Sequence, residues 1–296
     1  MKPILDIGVF CVIVLMMGAV GMELEERHLR AVMRRKGMLL LTLAAQAVVL
    51  PALGFGLTRA LNLPSDLSAG ILLLAACPVG DIANVYTLLA RANVALSLAV
   101  NGLSVLLAAG TMALVFEAYD HLLGAPFAFA VPTPTLIMRS LLMLVPPVLA
   151  GLGLRRLAPG FADRHTKAVR GASVAGVAFL VVYVMVTQRA RVATEWQQTA
   201  IVAAVFMGLA LFAGLAFGRL LRLSREDRVT VGVGFAVRNV ALTSAIAITL
   251  LNRIEAAVFA VVYFLTEVPL LLGVVAAYRT WWAPPVQRAD LAGNPR

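Results

Sequence analysis

Four charged side chains interrupt stretches that are otherwise apolar. They are Asp81 in "AACPVGDIANVY", Arg139 in "TPTLIMRSLLML", Arg238 in "VGFAVRNVAL" and Glu267 in "YFLTEVPLLLG". Charge at bilayer depth is costly, so each is by default a functional residue whose partner has to be found. A buried carboxylate can carry a proton or face a cation. A guanidinium can hold an anion's carboxylate in a planar, bidentate fork. Blander roles exist for two of the four. Arg139 lies about a third of the way into its span and can reach water with its long stem. Glu267 precedes Pro269 by two and can cap a perturbed turn. Asp81 and Arg238 lie deeper, each close to an Asn-Val pair, Asn84-Val85 and Asn239-Val240.

The elements that carry these residues must be membrane helices. Of 296 residues, 61% are hydrophobic and 14% charged, with a mean hydropathy of +0.92. Ordinary soluble domains carry nearer a quarter charged residues. Nine apolar runs of spanning length are expected, at about 4–22, 37–59, 67–90, 93–117, 131–153, 168–188, 196–218, 229–251 and 255–278. Alternate connecting segments hold 18 Lys and Arg on one side and five on the other. That bias puts the N-terminus outside and the C-terminus in the cytoplasm, in a bacterial inner membrane. The net charge of +10 is therefore read as topology and not as nucleic-acid binding. The opening residues read as a retained first span and not as a cleaved signal peptide. Cys11 and Cys77 form neither a disulfide framework nor a metal-ligand spacing.

Spans three and eight are interrupted. In span three, Pro78 removes a backbone donor and Gly80 permits a non-helical turn. Gly232 and Gly234 are the expected weak points of span eight. Backbone groups freed by such breaks must face protein or a watery cavity. The placement of the breaks suggests two five-span halves, the first lacking its first span, at about 1–122 and 127–280, with a tail at 281–296. An odd number of spans inverts one half relative to the other. Interrupted helices at matching positions of inverted halves point to a carrier's midplane site.

"CPVGDIANVYTLLARANVALS" resembles the signature of the bile acid:sodium symporter family. "MMGAVGMELEERHLRAVMRRKGMLLLTLAAQAVVLP" is similar to the family's preceding segment, and "VGFAVRNVAL" to its second crossing helix. The resemblance implies an all-helical membrane carrier of nine spans, with a core of crossing broken helices, a panel of other helices, and alternating access. It implies organic anions as substrates, often with sodium. By matched position it assigns Gln46 to a second sodium site, and Asn84, Ser97 and Asn101 to a first. Asn239 falls near the substrate. Asn84, Asp81, Arg238, Thr243 and Glu267 complete the candidate substrate-binding set.

The departures from the family pattern are specific. Ala83 replaces a serine. Gly234 stands where the first site has an acidic ligand, and Arg238 where the second has a glutamine. A guanidinium has no lone pair to offer a cation. Asp81 stands at a usual threonine. These changes lead to the expectation that Arg238 takes the place of a sodium ion and pairs with Asp81 across the crossing. The other reading is that Arg238 grips the substrate carboxylate. Sodium bound through the remaining oxygens stays open, as does a sodium-independent or proton-coupled exporter of a related, arsenite-like type. A receptor on a carrier fold is a remoter alternative. An intramembrane enzyme is not expected. His28, His121 and His165 lie in loops, and no catalytic pair is evident.

Overall fold

In lipid the backbone has no hydrogen-bond partner but itself, which favours helices. The computed structural model, which describes residues 2–23, 35–123 and 133–281, is accordingly helical throughout those residues. The helices are α1 (Lys2–Glu23), α2 (Lys36–Ala60), α3 (Ser65–Ala76), α4 (Ile82–Leu89), α5 (Val94–Leu123), α6 (Thr133–Leu157), α7 (Pro159–Thr187), α8 (Arg189–Leu220), α9 (Arg225–Ala236), α10 (Val240–Ala245) and α11 (Ile254–Trp281). A π-turn, Ile246–Leu250, continues α10.

By length and apolarity, α2, α7, α8 and α11 are each able to cross a membrane, and the bent α5 makes a fifth. The expected nine spans exceed that number. The twelve-residue helices α3 and α9 each rise only about 18 Å, less than a hydrocarbon core of roughly 30 Å.

The helices pack as two groups. In the first, α1 lies against α6 and α7. Its seam with α6 is made by glycines: a Cβ on Gly21 would stand 2.2 Å from the carbonyl oxygen of Val148, and one on Gly151 2.2 Å from that of Gly18. Close backbone approach of this kind suits helices in lipid, where association rests on packing. The second group gathers α2 to α5 and α8 to α11, with α9 against α8 and α11 against α3 and α8.

One local pattern occurs twice in the second group. After α2, Leu61 N–H bonds the carbonyl of Leu57 (3.0 Å) and Leu63 N–H that of Thr58 (3.2 Å), with Asn62 at φ 46°. After α8, Leu221 bonds Phe217 and Leu223 bonds Gly218, both at 3.0 Å, with Arg222 at φ 54°. Both are left-handed helix caps of the Schellman kind, and positions 62 and 222 are 160 apart. A second pair of left-handed residues, Arg91 and Asn252, is 161 apart. The π-turn lies just before Asn252; such a turn holds one residue more than α-helix.

Candidate functional site

Both interrupted helices break at mid-length, and the two breaks touch. In the first, the chain leaves α3 with Cys77 extended (φ −66°, ψ 156°) just before Pro78. In the second, α9 runs unbroken through Gly232 and Gly234, and the break falls at Val237 (φ −90°, ψ 113°), not at the glycines as expected. Gly232 is instead a packing residue, since a Cβ there would meet the Leu215 side chain at 2.8 Å. Val79 and Arg238 form a two-residue antiparallel bridge. Gly80 N–H donates to the carbonyl of Val237 (3.2 Å), and Asn239 N–H to that of Pro78 (3.0 Å). Gly80 is required here, because a Cβ would stand 2.7 Å from the carbonyl oxygen of Arg238.

Several of the other freed backbone groups are matched by side chains, as burial favours. Val79 N–H donates to Ser104 Oγ (3.1 Å), which in turn donates to the carbonyl of Asn101 (2.7 Å). Asn239 Oδ1 caps α10 by accepting from Leu242 N–H (2.9 Å), and Thr243 Oγ1 donates to the carbonyl of Asn239 (2.8 Å). Tyr263 donates its hydroxyl to the carbonyl of Ala236. Arg238 donates from Nη2 to the carbonyl of Cys77, which Pro78 leaves outside the helical ladder.

The expected pair between Arg238 and Asp81 does not form. Asp81 instead accepts from Asn101 Nδ2 (2.8 Å) on α5, while Arg238 is drawn to the carbonyl of Cys77. The two side chains bond partners that lie on different elements. Arg238 Nε and Nη1 are buried without partners. Arg238 also lines a cavity of about 320 Å³ between α2, α5 and the end of α3, shared with Gln46, Ser104 and Thr111. Gln46 Nε2 is also unpartnered, and it lies 3.4 Å from where a Cβ on Gly234 would stand.

Other expected residues gather between α4 and α5. Ser97 Oγ donates to Asn84 Oδ1 (2.7 Å) and accepts from Thr87 Oγ1 (3.3 Å). Asn84 Nδ2 and Asn101 Oδ1 keep no partner. With Asp81 held to Asn101, this corner offers the hard oxygens that suit a small alkali cation. Among the described residues no group of His, Cys, Asp and Glu has the makings of a transition-metal site. Glu267 stands apart from both clusters. It is 0% exposed, neither carboxyl oxygen has a hydrogen-bond partner, and the hydroxyl of Tyr86 lies against it without a standard bond. Arg139 belongs to α6, and its side chain lies outside the described residues.

Three groups at the crossing carry little signal in the sequence: Ser104, Tyr263 and Tyr86. Two were findable by spacing. Ser104 follows Asn101 by three, and Tyr263 precedes Glu267 by four, separations that place side chains on one helix face.

Several proteins with known descriptions are similar to this chain in sequence. The chain is 26% identical over 280 residues to an uncharacterized sodium-dependent transporter of Bacillus subtilis, covering 93% of this chain and 82% of that one. It is 27% identical over 230 residues to a probable chloroplastic sodium/metabolite cotransporter of Arabidopsis thaliana, covering 77% of this chain and 55% of the plant protein. A sodium-dependent organic anion transporter of Rattus norvegicus is 24% identical over 270 residues, 90% of this chain and 72% of the rat protein. The sodium bile acid symporter family matches residues 10–196, which include the first break and its polar corner. By that match the chain belongs to the sodium bile acid symporter family, a family of membrane transporters and not of enzymes.

Proposed function

We propose that this chain is a secondary carrier of small organic anions in which Arg238 serves as a fixed cation at the helix crossing. The observation that carries this reading is the setting of its guanidinium. One nitrogen donates to a carbonyl released by the break, two nitrogens are buried and unpartnered, and the residue lines a cavity. A guanidinium placed so does what a bound cation would do for the freed carbonyl, and keeps donors for a carboxylate or sulfonate. The rat relative's description as an organic anion transporter supports the substrate class. Asn84, Ser97, Asn101 and Asp81 are the proposed seat of any remaining sodium ion, and Gln46 with Asn239 borders the substrate.

Transport is by alternating access. The recurring caps 160 positions apart and the paired breaks support a reading as two inverted halves of a nine-span bundle. The group of α1, α6 and α7 is then the panel against which the crossing group moves. The bias of Lys and Arg favours an outside N-terminus and a cytoplasmic C-terminus.

The test is uptake of a panel of labelled carboxylates and sulfonates into proteoliposomes, with and without a sodium gradient. The expected result is uptake of at least one anion that Arg238→Gln reduces by tenfold or more, an effect on the order of 1.4 kcal/mol. The same variant is expected to become more sodium-dependent than the parent. Absence of uptake of every anion, or an Arg238→Gln variant indistinguishable from the parent, overturns the reading.

A second reading concerns coupling. Glu267 is fully buried and no cationic side chain is seen to pair with it among the described residues. A lone buried carboxylate is expensive, so this residue is suited to carry a proton in place of a sodium ion. If it does, Glu267→Gln abolishes stimulation of uptake by an imposed pH gradient while exchange of unlabelled for labelled anion continues. Stimulation that survives the substitution removes Glu267 from that role.

A further inference from the structure

A second and larger cavity lies away from the crossing, where the Arg-rich ends of α8 and α9 meet α11. Its volume is about 760 Å³. Leu211, Leu215, Val233 and Val274 wall one stretch of it, and Arg219, Arg225 and Arg228 line the other end. From Leu211 to Arg219 is eight residues of helix, a rise of about 12 Å. The cavity therefore has an apolar trough, long enough for part of an acyl chain, that runs out to a cationic mouth.

The three arginines are not neutralised by the nearest acids. Asp227 is engaged elsewhere, by Arg35 (2.7 Å) and Asn93 (2.8 Å). Among the described residues Glu226 is the acid left at the mouth, near Tyr278 and Arg225. Arg228 donates from Nη2 to the carbonyl of Leu223 (3.3 Å), and its Nε is buried without a partner. Arg219 and Arg225 are exposed. Phe212 and Ala216 stand exposed on the trough's outer rim, so it opens sideways toward lipid.

We infer that this groove binds an anionic phospholipid, with the headgroup phosphate at Arg219, Arg225 and Arg228 and one acyl chain along Leu211, Leu215 and Val233. A purely apolar trough would take any lipid, and a purely basic patch would take any anion. The combination, at one end of a membrane helix pair, selects a phospholipid with net negative charge. The site is separate from the helix crossing and does not depend on which anion is transported.

The test is native mass spectrometry of the full chain, released from detergent containing equal amounts of phosphatidylglycerol and phosphatidylcholine. The parent is expected to retain phosphatidylglycerol preferentially. The Arg219→Gln, Arg225→Gln double variant is expected to lose that preference by on the order of thirtyfold. Arg189→Gln, at the opposite end of α8, should keep it. Inorganic phosphate in excess should not displace the lipid, since it lacks the chain that fills the trough. Should the double variant fail to fold, Ala216→Trp fills the trough from its exposed rim and serves as the same test. Equal retention of the two lipids by the parent, or a preference that survives these substitutions, overturns the site.

Discussion

The two breaks at the crossing reach one geometry by different means. The first is written into the chain by Pro78, which cannot donate, and by Gly80, which clears the way for a carbonyl. The second contains no proline, and its glycines stay helical. It opens at Val237 because other groups take over its backbone. These are the bridge to Pro78 and Gly80, the Asn239 cap, and the Tyr263 hydroxyl on Ala236. One break is thus imposed by local chemistry and the other by its neighbours. The outer ends of the two half-helices are tied in a parallel way. Asp66 in α3 accepts from Arg191 and Arg253, and Asp227 in α9 accepts from Arg35 and Asn93.

The sharpest way to break this comparison is at its shared point. Gly80→Val drives a side chain into the carbonyl of Arg238, and both breaks lose the bridge. A loss of about 4 kcal/mol or more is expected, seen as little monodisperse protein by size-exclusion chromatography. Gly234→Ala is the matched control. The added carbon has 3.4 Å to Gln46 Nε2, and a change within about 1 kcal/mol is expected. A Gly80→Val variant as stable as the parent would show that the bridge does not hold the crossing.

Asn239→Ala and Pro78→Ala separate the two origins. Asn239→Ala removes the cap and should lower stability by about 1 kcal/mol, read as a lower thermal midpoint in detergent. Pro78→Ala returns a donor to a segment whose conformation the bridge already fixes. Its expected cost is smaller, about 0.5 kcal/mol, acting largely through the unfolded chain. If Pro78→Ala proves the more damaging, the bridge adds little to the break that Pro78 imposes.

The smallest effect expected is at the tether of α3. Burial pushes the Asp66 carboxyl up, but hydrogen bonds from Arg191 and Arg253 outweigh it and hold it below the ordinary value of 3.8. A carboxyl lowered in the folded state stabilises the fold above its ordinary value, and that contribution fades as pH falls through the lowered one. The thermal midpoint of the parent should therefore fall more than that of Asp66→Asn as pH drops below 3.8. Parallel curves would show that the tether adds nothing.

The class of protein was legible in composition alone. A chain with 61% hydrophobic and 14% charged residues, in apolar runs too long and continuous for the alternating strands of a barrel, satisfies its backbone in lipid as helices. The first break was legible too, because proline and glycine act on their own turn whatever surrounds them. Asn84, Ser97 and Asn101 were legible as a group through the family resemblance, and α4, α5 and the short link between them bring them to one corner. The position of the second break was not. Glycine only lowers the cost of leaving a helix, whereas the chain leaves it at Val237 because Gly80 N–H, the Pro78 carbonyl and the Tyr263 hydroxyl, all distant in sequence, complete the hydrogen bonds of Val237, Asn239 and Ala236. The partner of Arg238 was not legible for the same reason. Opposite charges suggested Asp81, but hydrogen bonding is short-ranged and directional. Which polar group lies within reach of a guanidinium is decided by the tertiary path of two backbones, here by a carbonyl at Cys77 that the sequence shows only as part of a break.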